Sequence, residues 1–172
     1  MVELWDQACA LHLDGRLDEA RDIYIQLLEQ NHDNTGLMAT LGSLYVQTGK
    51  VGLGIHFLEA AIKGGLRQTD VFTNLGLAYK RAGQTQKARG YFEESIKEEP
   101  SPEALSNYSG LLIESGRDKE CIELCERAIK EKPELPIAHW NLAICLLSDG
   151  VWGRCLDEHE WGLKTKGIRE DR

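Results

Sequence analysis

Proline is scarce in this chain, four residues in 172, and phenylalanine and methionine are scarcer still, at three and two. So little proline excludes a fibrous or polyproline chain, and 42% hydrophobic with 28% charged residues excludes a disordered one. No apolar run approaches the ~18 residues of a membrane-spanning helix. The opening Met1-Val2-Glu3-Leu4-Trp5-Asp6 has an early acid and lacks the basic and apolar stretches of a secretory leader. A cytoplasmic location is therefore expected. There is no basic excess either: the formal net charge is −8, with both signs interspersed, which argues against nucleic acid or an anionic membrane as the main partner. The five cysteines, Cys9, Cys121, Cys125, Cys145 and Cys155, are odd in number and follow no disulfide spacing, as in a reducing compartment.

What the chain does have is a period. Gly15, Gly49, Gly83, Gly116 and Gly150 are separated by 34, 34, 33 and 34 residues. Each stands where one helix must stop and the chain turn, a place where glycine tolerates the left-handed conformation. Seven residues before the turn lie Ala8, Gly42, Gly76, Ser109 and Ala143; five after it lie Ala20, Gly54, Ala88, Cys121 and Cys155. All are small, as two closely crossing antiparallel helices require. Larger groups flank the crossing, four before the turn (Leu11, Tyr45, Tyr79, Leu112, Leu146) and nine after it (Tyr24, Leu58, Phe92, Cys125, His159). Pro100 and Pro133 close the second helices of the third and fourth units. Gly52 and Gly54 in the second helix of unit two cost ~1 kcal/mol each against alanine, so that helix is expected to be the softest.

This pattern resembles the tetratricopeptide-repeat family, and the resemblance covers residues 1–34, 35–68, 69–101, 102–135 and 136–165. Phe72-x-Asn74-Leu75-Gly76-x-x-Tyr79 with Gly83, Ala88, Phe92 and Pro100 matches it most fully. The resemblance implies an all-α fold, a right-handed α-solenoid of five helix-turn-helix units in one array over residues 1–165, followed by a charged tail, 166–172. Such a unit cannot bury its apolar face alone, so the units stack, and the first helix of each lines the concave side.

The resemblance also implies which residues face that groove. Counting each turn glycine as position fifteen, position six is Asn74, Asn107 and Asn141 in three successive repeats. An asparagine amide can pair with both C=O and N–H of a peptide unit, and the row looks like the asparagine ladder in the repeat domain of O-linked N-acetylglucosamine transferases. Asparagine at this place also serves to bond a neighbouring helix, and both roles stand open. Positions five, nine and twelve add Trp5 in the first repeat, Thr73, Leu77 and Lys80 (beside Arg81) in the third, and Trp140, Ile144 and Leu147 in the fifth. Aromatic ends around a basic pair suit a peptide with apolar anchors flanking an acidic group, whereas Trp5 and Trp140 alternatively pack on adjacent repeats. A carboxylate clamp of the co-chaperone type is not expected, because Thr73, Leu77, Ser106 and Gly110 occupy the positions that would need lysine or arginine.

At the far end Trp152, Leu156, Trp161 and Leu163 have no evident cover, which predicts a terminal interface for a second copy, another protein or a further domain. Ala138-His139-Trp140-Asn141-Leu142-Ala143 followed by Glu158-His159-Glu160-Trp161 resembles the last repeat of bacterial arrays that lead into a glycosyltransferase domain. Cys121-x-x-x-Cys125 and Cys155-x-x-x-His159 invite thought of zinc, but they fall at core positions where cysteine acts as a small hydrophobe. No phosphate loop and no nucleophile-base arrangement is present, so neither catalytic residues nor a cofactor are expected. The expected function is a non-catalytic scaffold binding an extended polypeptide or assembling a complex, with the substrate-binding arm of a glycosyltransferase as the alternative.

Overall fold

The computed structural model describes residues 2–98 and 100–165, without the side chains of Val2, Glu98 and residues 162–165. Every element among the described residues is helical. They run α1 (Val2–Leu13), α2 (Leu17–Gln30), α3 (Thr35–Gln47), α4 (Val51–Lys63), α5 (Thr69–Arg81), α6 (Thr85–Glu98), α7 (Pro102–Glu114), α8 (Asp118–Glu131), α9 (Pro136–Ser148) and α10 (Trp152–Thr165). Each consecutive pair falls inside one of the five repeat windows. No helix among the described residues is long and apolar enough to cross a membrane.

The turns explain the period. The five turn glycines have φ between 66° and 79°, the left-handed region open to glycine at no steric cost. The residue after each reaches back to the carbonyl of position eleven: Arg16 to Leu11, Lys50 to Tyr45, Gln84 to Tyr79, Arg117 to Leu112 and Val151 to Leu146. This is the Schellman closure of a helix C-terminus. The starts are fixed as locally: Asn34 and Ser101 accept from the backbone N–H groups of Leu37 and Ala104 at 3.0 and 3.1 Å, and Pro102 and Pro136 occupy first-turn positions.

The chain packs as two compact units, Met1–Tyr91 and Phe92–Arg172. In the first, α3 packs on α2, α4 and α5, and α1 on α2; in the second, α7, α8 and α9 pack on one another and α10 on α9. The small-residue crossing is tightest between α3 and α4. A Cβ on Gly42 would lie 3.0 Å from the Leu58 nitrogen, and one on Gly54 would lie 2.5 Å from Val46 Cγ2. Gly54 is therefore demanded by packing, as its place among the small crossing residues implied, whatever its propensity cost. Gly52 has nothing within 4 Å of such a Cβ and keeps the propensity cost alone. Tyr24, Leu58, Phe92 and Cys125, nine residues after their turns, are fully buried.

Candidate functional site

The groove positions lie on α1, α3 and α5 of the first unit and on α7 and α9 of the second. On α1, Trp5 is partly exposed and leans on Tyr24, ring centroids 5.6 Å apart; Cys9 receives the Tyr24 hydroxyl at 3.8 Å. Burial and that bond push the Tyr24 phenol up. His12 Nε2 lies 3.1 Å from Gln47 Oε1 on α3. Leu77 and Lys80 on α5 are half-buried.

Three groove residues spend their polar groups inside the first unit. Thr73 is buried and donates its hydroxyl to the Thr69 carbonyl at 2.8 Å, one turn back in α5. Asn74 donates from Nδ2 to Ser43 Oγ on α3 at 2.8 Å. Arg81 donates to the Val46 carbonyl near the C-terminus of α3, where a cation also meets the negative end of the helix. Asn74 and Arg81 thus tie α5 to α3.

In the second unit Asn107 is half-buried on α7, and Asn141 on α9 is only 5% exposed. Both amide hydrogens of Asn141 are engaged, to the Ser106 carbonyl at 3.0 Å and to Ser109 Oγ at 2.9 Å. What α9 leaves open is apolar. Ile137, Ile144 and Leu147 are 38–45% exposed, and with half-buried Trp140 they recur at i, i+3, i+7 and i+10, one continuous stripe. The Trp140 ring stands 5.3 Å from that of His159. Ile137, which the position count does not reach, belongs to the stripe; its signal in the sequence is its place three residues before Trp140.

The terminal residues divide. Trp152 and Leu156 are 65% and 66% exposed, one turn apart on α10. Trp161 turns towards α9, stacking on the His139 ring at a centroid distance of 3.7 Å. The Leu163 side chain lies outside the described residues. His139 is 6% exposed and held at both ring nitrogens, Nδ1 2.5 Å from Glu158 Oε2 and Nε2 2.8 Å from the Pro133 carbonyl. Glu158 also meets Arg154, which pairs with Glu126 of α8 at 2.8 Å.

All five cysteines are free thiols. Cys121 and Cys125 lie sulfur to sulfur at 3.9 Å; hydrogen bonding of the Cys121 thiol with Cys125 and Cys145, together with burial, pushes it far up, into the inert range of a packed hydrophobe. Among the described residues no three His, Cys, Asp or Glu side chains gather as a metal site needs.

Residues 73–136 match the tetratricopeptide-repeat family model. The antiviral innate immune response effector IFIT1 of Macaca fascicularis is 25% identical over 168 residues, covering 85% of this chain and 35% of that protein. The Vi polysaccharide export protein VexE of Salmonella typhi is 24% identical over 163 residues, covering 90% and 24%. The chain thus spans about a third or less of these relatives. Among solved structures, Pseudomonas aeruginosa pilF is similar with a TM-score of 0.84 at 13% identity, over 96% of this chain and 76% of that one. MamA is similar with a TM-score of 0.77 at 18% identity, over 94% and 95%. YrrB, described as a TPR protein with an unusual peptide-binding site, has 0.71 and 18%, over 95% and 84%. Such identities establish the fold, the all-α solenoid of helix-turn-helix units.

Proposed function

We propose that this chain of tetratricopeptide repeats is a non-catalytic scaffold that holds an extended polypeptide against its first helices. The observation that carries the reading is the α9 stripe of Ile137, Trp140, Ile144 and Leu147, a run of apolar side chains left open along a helix whose other faces are buried. Water-exposed apolar groups in line are a binding surface for apolar anchors. That YrrB carries a peptide-binding site on the same fold supports a peptide as the ligand class. The asparagines contribute less to recognition than their spacing suggests, because Asn74 and Asn141 already donate within the chain; Asn107 is the member of the row with most to offer a ligand. The substrate arm of a glycosyltransferase is the second reading. Its motif residues Glu158 and Trp161 close on His139, which gives them a role inside the fold.

Panning a random peptide library against the chain tests the proposal. Enriched peptides should carry apolar anchors, shift the Trp140 indole resonance and lose affinity for the Ile144→Asp variant. Peptides that bind that variant as well as the parent chain would overturn it.

A further inference from the structure

His139 meets three neighbours, and all three favour the same form of its ring. Nδ1 lies 2.5 Å from a carboxyl oxygen of Glu158 on α10, and Nε2 lies 2.8 Å from the Pro133 carbonyl in the turn after α8. A carbonyl only accepts, and so does an ionised carboxyl, whereas a neutral imidazole has a single N–H to give. Both contacts are satisfied together when the ring is an imidazolium, with two. The third neighbour is Trp161, stacked on the ring at a centroid distance of 3.7 Å, and an indole face attracts a cation laid against it.

The charges around the ring point the same way. From α10 come Glu158 and Arg154, whose Nε stands 3.8 Å from Glu158 Oε1. From α8, Glu126 pairs with Arg154 at 2.8 Å, and the Cys125 thiol feels the Glu158 charge. At the turn, Lys132 precedes Pro133 and pairs with Glu103 of α7 at 2.5 Å. Arg154 and Lys132 each have an acid closer to hand, which leaves Glu158 to the ring. The side chains of His139 and Glu158 are only 8% and 17% exposed, so little water reaches them to replace a lost hydrogen bond.

The next residue carries this contact into the groove. Trp140 follows His139 on α9 as His159 follows Glu158 on α10, and the Trp140 and His159 rings stand 5.3 Å apart. Helix α10 thus grips α9 at a buried ring and at a member of the apolar stripe.

We propose that protonation of His139 latches α10: the imidazolium joins α10 to α9 and to the turn after α8, and loss of its proton at alkaline pH loosens α10 and its grip on Trp140. With one N–H left, the ring donates to one acceptor, turns a lone pair on the other and gives up its ion pair with Glu158. The stability it contributes is complete at acid pH and is lost as pH rises through the ring's titration. The consequence for Trp140 rests on the scaffold reading, in which that side chain anchors a peptide.

Nitrogen NMR of the histidine rings and amide hydrogen exchange, both on the full chain, test the latch at about pH 6 and about pH 8.5. At the acid value both His139 nitrogens are expected to carry protons. Amides of α10 should exchange ~10-fold or more faster at the alkaline value, after correction for intrinsic rates. His139→Gln should abolish that difference, and His159→Gln, at an exposed imidazole, should leave it. A single proton on the His139 ring at the acid value overturns the proposal, since Glu158 would then be the donor. So does α10 exchange that ignores pH, and both readings come from the parent chain, whether or not a variant folds. Library peptides should bind several-fold more weakly at the alkaline value, in step with α10 exchange; equal binding while α10 loosens overturns the coupling to the groove. Peptides indifferent to Ile144→Asp overturn the groove reading instead, and the latch is then decided by the exchange data.

Discussion

His139 joins two segments to α9 through one buried ring: the turn after α8 by the Pro133 carbonyl, and α10 by both Glu158 and the stacked Trp161. Replacing it with alanine strands a carboxylate and a carbonyl and leaves a ring-sized gap. The expected loss is ~3 kcal/mol in urea unfolding; a loss under ~0.5 kcal/mol would show that water takes over both contacts. The asparagine row separates at this scale as well. Asn141→Ala removes donors from Ser106 and Ser109 and should cost ~1–3 kcal/mol, while Asn107→Ala, half-buried on α7, should be near neutral in the same measurement. None of this is legible in the period. Position six announces asparagine three times, but whether its amide hydrogens are free depends on Ser43, 31 residues away, and on Ser106 and Ser109, more than 30 away. For the two hydroxyl acceptors, Ser43 and Ser109, a spacing rule carries no information about where a serine stands, and for the third, the Ser106 carbonyl, none about how close the main chain of α7 comes.

At the scale of the element, glycine has two meanings inside α4. Gly54→Ala sets a methyl against Val46 and the Gly42 carbonyl, an overpacking expected to cost ~1–3 kcal/mol and to exceed the ~1 kcal/mol gained in helix propensity. Gly52→Ala meets open space and should raise stability by up to ~1 kcal/mol, read as a higher midpoint in thermal melts. The turn glycines were legible in the sequence because one conformation serves every unit, and Gly54 because every unit keeps a small residue at the crossing; that even a methyl is too large there was not, because it lies in the distance between α3 and α4. Charge gives a second element-level test. Lys132, just beyond α8, sits 2.5 Å from Glu103 in the first turn of α7, and it holds the Glu103 carboxyl below its ordinary range, helped by Glu103's own backbone N–H. A carboxylate depressed in the folded state adds stability that is complete above its unfolded pKa and is lost as pH falls through the folded one. Both side chains are about half exposed, so the contribution is small and salt-screened. Lys132→Ala should raise the Glu103 titration midpoint, followed by NMR at the carboxyl carbon, and an unmoved midpoint would show that the helix start alone depresses it.

Across the whole molecule, each helix pair draws its burial from its neighbours, so a local change should be felt locally. Phe92, Tyr108 and their interior equivalents recur in register and are buried, which is why the fold could be read from the sequence, and with it Trp140, Ile144 and Leu147 as groove positions and Trp152 and Leu156 as uncovered; that Ile137 extends the stripe and that Trp161 turns onto His139 had to be seen. The two ends of the repeat series are chemically unlike: α1 carries Glu3 and Gln7 where every interior first helix carries buried side chains, whereas α10 carries exposed Trp152 and Leu156. Native-state hydrogen exchange should follow that asymmetry. The His139→Ala variant is expected to speed exchange across α9 and α10, where its partners lie, while amides of α1 to α4 keep their protection, because nearest-neighbour stability transmits little beyond the adjoining pair. Uniform acceleration along the chain in His139→Ala would mean that it opens by one global transition, and stability would then have to be treated as a property of the chain rather than of its steps.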